Sequence, residues 1–69
     1  MTYKSIENKM LSGYMPGGYA AVTRDQVIDF LVQLFKVNAC TPSRWRQADR
    51  IPERRAQELV RLFPEFGEE

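Results

Sequence analysis

The sequence predicts an all-α domain of four or five short helices, and three segments are the basis for that prediction. Residues 24–35 follow a threonine cap and are apolar on most sides, which is typical of a central helix. Residues 52–63 begin with proline and repeat apolar residues at helical spacing. Residues 38–50 lie between them and contain the single tryptophan among several arginines. With 69 residues, the chain has room for one domain of this kind.

The N-terminal part of the chain is predicted to form a short helix followed by a loop. Residues 5–12 are expected to be helical, with Ser5 as the cap and Gly13 at the end. Residues 13–18 hold three of the four glycines and one proline, a composition typical of a loop. Residues 19–22 are apolar, and they fit a short strand as well as an irregular lead-in to the next helix.

The second helix has the clearest start signal in the sequence. Thr23 is followed three residues later by Gln26, the spacing of a capping box, and Asp25 suits the positive end of a helix dipole. Only three of the next ten residues are polar, so this helix is expected to pack on several sides and to form the core. Its apolar residues are Val27, Ile28, Phe30, Leu31, Val32, Leu34 and Phe35.

The tryptophan-bearing helix has two candidate starts. Thr41 fits as a cap that places Pro42 at the first helical position, where proline is favoured. Asn38 fits equally as a cap, and Pro42 then falls at the fourth position and costs one hydrogen bond in the first turn. Trp45 faces inward in both registers. We therefore expect its ring to be part of the core rather than a platform for stacking on a base.

The last helix is expected to begin with Pro52 as its first residue and to end before Pro64. Its apolar stripe consists of Ala56, Leu59, Val60 and Phe63. The residues after it are expected to fray, unless Phe66 folds back onto the core. The chain then divides into an N-terminal helix and loop (1–22), a core (23–63) and an acidic tail (64–69).

Composition excludes several classes of protein. The chain has no histidine and one cysteine, which rules out a disulfide within the chain, a zinc site of four His and Cys ligands and every histidine-dependent catalytic triad. No cofactor or metal is expected. No nucleophile–base pair is visible either, so we expect no enzyme and interpret four acidic residues as solvated helix surface. They are Asp25, Asp29, Glu53 and Glu58.

The same composition bears on location. No apolar run approaches the ~18 residues that a membrane span needs, and the first ten residues lack the apolar stretch of a signal peptide. A single thiol is typical of proteins from a reducing compartment. The expected location is the cytoplasm of a bacterial or phage-infected cell, with no membrane association.

The net charge of +1 hides an uneven distribution of charge. Residues 1–35 are neutral, residues 36–61 contain seven cations and three acids, and residues 62–69 contain three acids and no cation. Six of the seven cations in the middle segment are arginines. The planar arginine side chain pairs with phosphate or with a guanine edge through two parallel hydrogen bonds. The alternative is a basic helix face that simply contacts water.

Residues 35–63 resemble the phage Cro-type repressors and the related YdaS-like bacterial DNA-binding proteins. The pattern of that family is leucine-glycine-valine-threonine, four residues, serine-glutamine-tryptophan, a basic loop, and isoleucine-proline at the start of a helix. In this chain Val37, Ser43, Trp45, Ile51 and Pro52 match it and Asn38 stands at the threonine, with eight positions from Val37 to Trp45 and six from Trp45 to Ile51. The resemblance implies a Cro-like helix-turn-helix fold and favours Asn38 as the cap.

Three residues depart from the family pattern. Lys36 replaces a glycine that supplies a left-handed turn, at a cost of about 1 kcal/mol. Pro42 stands at the position of a buried valine, and Val32 at the position of a small alanine where two helices meet. Residues 1–22 lie outside the resemblance.

The resemblance implies that the tryptophan-bearing helix enters the major groove of duplex DNA and that its outward side chains contact bases. Arg44 is the strongest candidate, because arginine on guanine is the commonest specific contact. Asn38 has the competing role of a cap. The base-reading candidates are Ser43, Arg44, Gln47 and Asn38. The candidates for contacts with phosphate are Arg46, Arg50, Arg54 and Arg55.

These expectations give one function and one rival. The first is a sequence-specific transcriptional regulator, a Cro-like repressor that binds an operator of paired half-sites as a homodimer. The rival is a small protein-interaction module on the same scaffold, such as a phage inhibitor or adaptor with its acidic tail as a contact for a protein partner. The near-neutral net charge favours the rival.

Overall fold

A computed structural model describes residues 1–67 and confirms the all-α prediction. Within these residues there are four α-helices, two short 3₁₀ helices and no strand, so residues 19–22 form an irregular lead-in. No helix in this range is long and apolar enough to cross a membrane. The α-helices are α1 (Tyr3–Leu11), α2 (Arg24–Phe35), α3 (Cys40–Ala48) and α4 (Glu53–Leu62), and the 3₁₀ helices are Pro16–Gly18 and Pro64–Gly67.

Helix α1 begins two residues before the predicted start. Thr2, not Ser5, is the cap, and its Oγ1 accepts a hydrogen bond from the Ser5 amide at 3.4 Å. The expectation for Ser5 was wrong because the two hydroxyl residues lie three positions apart and both fit a cap. The earlier start brings Tyr3 into the core beside Ile6 and Met10, all three almost fully buried. Residues 1–22 therefore supply part of the core.

Helix α2 begins with the predicted capping box. Thr23 Oγ1 accepts from the Gln26 amide at 3.3 Å, and Gln26 Oε1 accepts from the Thr23 amide at 3.1 Å. Val27 and Leu31 are fully buried, which confirms α2 as the central element. The helix ends at Lys36, which adopts the left-handed conformation with φ 53° and ψ 48°. A non-glycine residue thus occupies a left-handed turn at the end of α2.

Helix α3 begins between its two candidate starts and closer to Asn38. Ala39 is already helical, and the Asn38 carbonyl accepts from the Thr41 amide at 3.0 Å, so Thr41 lies inside the first turn and does not cap it. Pro42 has no N–H to donate to the Asn38 carbonyl. The first α-helical hydrogen bond therefore runs from the Ser43 amide to the Ala39 carbonyl, at 3.3 Å.

Helix α4 begins one residue later than expected. Pro52 has extended backbone angles and precedes the helix as its cap instead of being its first residue. Of the predicted stripe, Ala56 and Leu59 are buried, whereas Val60 and Phe63 are half-buried against the core. The helix ends before Pro64, as the sequence predicts.

The tail folds back onto the domain through Phe66. An aromatic row of five rings, Tyr14, Phe66, Phe63, Phe30 and Tyr19, runs across the molecule with neighbouring ring centres 5.1–6.2 Å apart.

Hydrogen bonds to Glu65 reinforce this packing. The Tyr14 hydroxyl donates to its carboxylate at 3.0 Å, and Lys9 Nζ donates to its carbonyl. Residues 64–67 are therefore ordered against the domain and not frayed, and Glu68 and Glu69 of the predicted acidic tail lie outside the described residues.

Replacing Lys36 with glycine is expected to raise the free energy of unfolding by about 0.5–1 kcal/mol, because glycine adopts φ 53° without a Cβ clash. Asp49 is the matched control. It has a similar backbone conformation, φ 51°, but its Oδ1 also accepts from the Lys4 amide at 2.9 Å. Asp49→Gly loses that bond and should show no gain. Urea unfolding of both variants measures the difference in stability. A loss of stability in Lys36→Gly would show that the left-handed conformation of Lys36 is not strained.

Candidate nucleic-acid interface

Helix α3 has one buried face and one accessible face. Pro42 and Trp45 point into the core, and the Trp45 ring is 8% exposed and packs edge-on against Phe35 with centres 5.9 Å apart. The prediction that Trp45 is a core residue is confirmed. The accessible face is defined by helical spacing and consists of Cys40, Ser43, Arg44 and Gln47.

Three of the four base-reading candidates lie on this accessible face, and the fourth, Asn38, precedes the helix. Arg44 and Gln47 are exposed, Ser43 is half-buried beside them, and Asn38 is exposed in the link before the helix. Asn38 makes no side-chain hydrogen bond to the start of α3, so the competing role of a side-chain cap is wrong for it.

A shallow groove runs along one flank of the accessible face. It has a volume of about 420 Å³ and lies between α3 and the start of α4. Arg44 and Arg50 both line it, above a floor that includes Trp45 and Ala48. The left-handed Asp49 turns the chain out of α3 and places Arg50 on this flank. Arg50 and Arg54 are exposed and have no ion-pair partner within residues 1–67.

The other two predicted phosphate contacts already have acidic partners. Arg46 Nε lies 3.8 Å from Glu7 Oε2. Arg55 Nη1 lies 3.5 Å from Glu58 Oε2, and its guanidinium stacks 5.2 Å from the centre of the Phe35 ring. Because it packs on Phe35, Arg55 is only half exposed, and its side chain contributes to packing as well as to charge.

The structure adds one arginine, Arg24, to those around α3, and it shows an acidic partner, Glu7, between Arg24 and Arg46. Arg24 Nε lies 3.3 Å from Glu7 Oε1, so one carboxylate contacts arginines from both α2 and α3. Sequence reasoning missed both residues because 17 positions separate Glu7 from Arg24 and 39 separate it from Arg46. No local spacing rule connects residues at such separations.

Tyr3 lies beneath this ion pair. Its hydroxyl is buried and has no hydrogen-bond partner in the described part of the chain. Burial raises the pKa of the Tyr3 hydroxyl to about 12, with a smaller contribution in the same direction from Glu7 and an opposing one from Arg46. The hydroxyl is therefore neutral throughout the physiological pH range.

Replacing Tyr3 with phenylalanine is expected to raise the free energy of unfolding by about 1 kcal/mol, because it removes a buried polar group without a partner. The pH dependence should change as well. The pKa is 10.0 in the unfolded chain and about 12 in the folded protein, so ionisation favours unfolding and stability falls as pH rises from 10 to 12. Tyr3→Phe should reduce that fall in urea unfolding. An identical pH profile in both proteins would contradict a buried, neutral Tyr3.

The interface contains no candidate metal site. Within residues 1–67, no group of three His, Cys, Asp or Glu side chains is placed to bind a metal ion. Cys40 is an exposed, free thiol on the accessible face of α3.

No protein-family model, curated protein or solved structure matches this chain. Function is therefore inferred from α3 and the side chains around it.

Proposed function

We propose that this protein is a sequence-specific regulator of transcription that binds duplex DNA as a Cro-like helix-turn-helix domain. In this proposal α2 and α3 form the helix-turn-helix, and α3 lies in the major groove. One observation carries the proposal. Trp45 and Pro42 anchor α3 in the core, and this leaves Arg44 and Gln47 exposed together on the opposite face. Arginine and glutamine are the side chains that pair bidentately with guanine and adenine.

The arginines that flank α3 support the same proposal. Arg50 and Arg54 lie beyond one end of the helix without acidic partners in the described chain, and Arg46 lies on the other flank. Contacts on both sides of a recognition helix suit the two phosphate backbones that border a groove. The remaining arginine, Arg55, contributes charge from its position on Phe35.

The proposed partner is an operator with two half-sites. A single domain of this size buries too little DNA surface for tight specific binding. Two copies on adjacent half-sites double the contact area, and we therefore include a homodimer, formed in solution or on DNA, in the proposal.

Selection of bound sequences from random duplexes, followed by a salt titration on the selected site, tests this function. We expect one enriched motif, repeated about 10 base pairs apart if two copies bind. Affinity should fall with salt by a slope of about 0.9 for each phosphate that the protein neutralises. Arg54→Ala should reduce that slope by about one for selected and random duplexes alike. Failure to bind any duplex at low salt would reject the proposal.

A second candidate function is a protein-interaction module, and a larger groove that shares Arg50 with the first groove favours it. This groove has a volume of about 1180 Å³ and lies between the first two residues, the link between α3 and α4, and α4 itself. Ile51, Ala56 and Val60 form an apolar part of its lining, and Met1 at its edge is 41% exposed. A protein that uses this groove and does not bind DNA would give no enriched duplex in the selection.

A further inference from the structure

Glu7 on α1 contacts arginines of both α2 and the proposed recognition helix α3. It projects from α1 and is only 12% exposed, whereas Arg24 and Arg46 are 66% and 41% exposed. Its two oxygens are divided between the arginines, with Oε1 3.3 Å from Arg24 Nε and Oε2 3.8 Å from Arg46 Nε. The carboxylate therefore sits behind two guanidinium groups that reach the surface.

The geometry leaves most of the arginine donors available. A guanidinium group has five N–H donors, and the atom that each arginine places near Glu7 is Nε, not one of its terminal nitrogens. The terminal nitrogens of Arg24 and Arg46 make no other ion pair among residues 1–67. Two cations and one anion leave a surplus of one positive charge. Such a site suits a phosphate, which accepts several charge-assisted hydrogen bonds at once.

We propose that Glu7 is a positioning residue that holds Arg24 and Arg46 side by side as a site for a backbone phosphate of duplex DNA. This inference rests on the proposed function and adds Arg24 to the residues that perform it. Arg46 lies on the α1 side of α3, and Arg50 lies at the α4 side. The site thus contacts the backbone on the flank opposite Arg50 and fixes the position of α3 in the groove.

A partly buried acid near DNA has two opposing effects. Its charge repels phosphate, but its contacts order two long side chains before DNA binds and so reduce the entropy lost on binding. The two effects predict opposite results when the charge is removed. If Glu7 only neutralises the arginines, its loss strengthens binding. If Glu7 positions them, its loss weakens binding even though the protein becomes more positive.

The experiment compares Glu7→Gln with Asp29→Asn, two substitutions that remove one negative charge. Asp29 is exposed on α2 and has no ion-pair partner in the described chain, so it is the matched control. Affinity for the selected duplex is measured at several salt concentrations, with thermal unfolding of each variant to show that it is folded. We expect Asp29→Asn to bind as tightly as the unmodified protein or more tightly, and Glu7→Gln to bind about three- to tenfold more weakly.

Two further variants separate position from charge. Glu7→Asp keeps the negative charge but withdraws the carboxylate, and we expect it to weaken binding as Glu7→Gln does. Arg24→Ala should weaken binding in the unmodified protein and have a smaller effect in the Glu7→Gln protein, because the site is already disordered there. Folded Glu7→Gln protein that binds as tightly as Asp29→Asn would overturn the positioning role while leaving DNA binding intact. An unmodified protein that binds no duplex at low salt would instead reject the proposed function, and this site with it.

Discussion

Truncation of Trp45 to alanine is expected to lower the free energy of unfolding by about 3–5 kcal/mol, the largest effect of any single substitution considered. The side chain is 8% exposed and packs edge-on against Phe35, so its removal leaves a cavity between α2 and α3. A domain of 69 residues has a small core and little stability to lose. Most of the variant should therefore be unfolded at 37 °C, as measured by circular dichroism or urea unfolding.

Trp45→Phe is the control for this effect. It keeps an aromatic ring against Phe35 and should lose less stability than the alanine variant. Melting temperatures that do not differ between Trp45→Ala and the unmodified protein would show that the ring is exposed in solution. That result would make stacking of Trp45 on a base the better interpretation.

Arg44→Ala is expected to weaken binding to the selected duplex by about 1–3 kcal/mol and to relax the preference at one base pair. The reason is the place of Arg44, exposed on α3 and without an acidic partner in the described residues, so that its guanidinium is free to contact a guanine edge. Stability should change by less than ~0.5 kcal/mol because the residue is outside the core. Binding is measured at fixed salt on the selected site and on all base pairs at one position.

The matched variant for this prediction is Arg44→Lys. Lysine keeps the positive charge but lacks the planar fork that pairs bidentately with guanine. We expect Arg44→Lys to retain much of the affinity for random duplexes and to lose most of the discrimination at the same base pair. If both variants discriminate between base pairs as well as the unmodified protein does, Arg44 contacts the DNA backbone or does not contact the DNA.

The parts of the fold that could be predicted from the sequence are those that local chemistry determines. Thr23 and Gln26 define the start of α2 because their capping box needs only a spacing of three. The inward position of Trp45 follows from helical periodicity in either register of α3. The end of α4 follows from Pro64, which cannot continue a helix without losing a hydrogen bond.

The parts that could not be predicted depend on residues far apart in the sequence. Arg46 forms an ion pair with Glu7, whereas Arg55 forms an ion pair with Glu58 and packs on the Phe35 ring. Asp49 adopts a left-handed conformation at the end of α3, and its Oδ1 accepts from the Lys4 amide in the first turn of α1, a contact across 45 positions that no short motif predicts. The sequence predicts four arginines as phosphate contacts, but it does not predict that Arg46 and Arg55 already have acidic partners.

The aromatic row has a consequence for hydrogen exchange. The Gly18 and Tyr19 amides donate hydrogen bonds to the carbonyls of Met15 and Pro16, respectively. They lie in or next to a loop rich in glycine, a composition typical of segments that open without unfolding of the helices. The rings of Tyr14 and Tyr19, at the two ends of the row, bracket this loop against α2 and the C-terminal turn. Opening the loop therefore separates Tyr14 from Phe66 and Tyr19 from Phe30. The protection of these two amides should follow the global unfolding free energy, which makes the loop part of one cooperative unit with the helices.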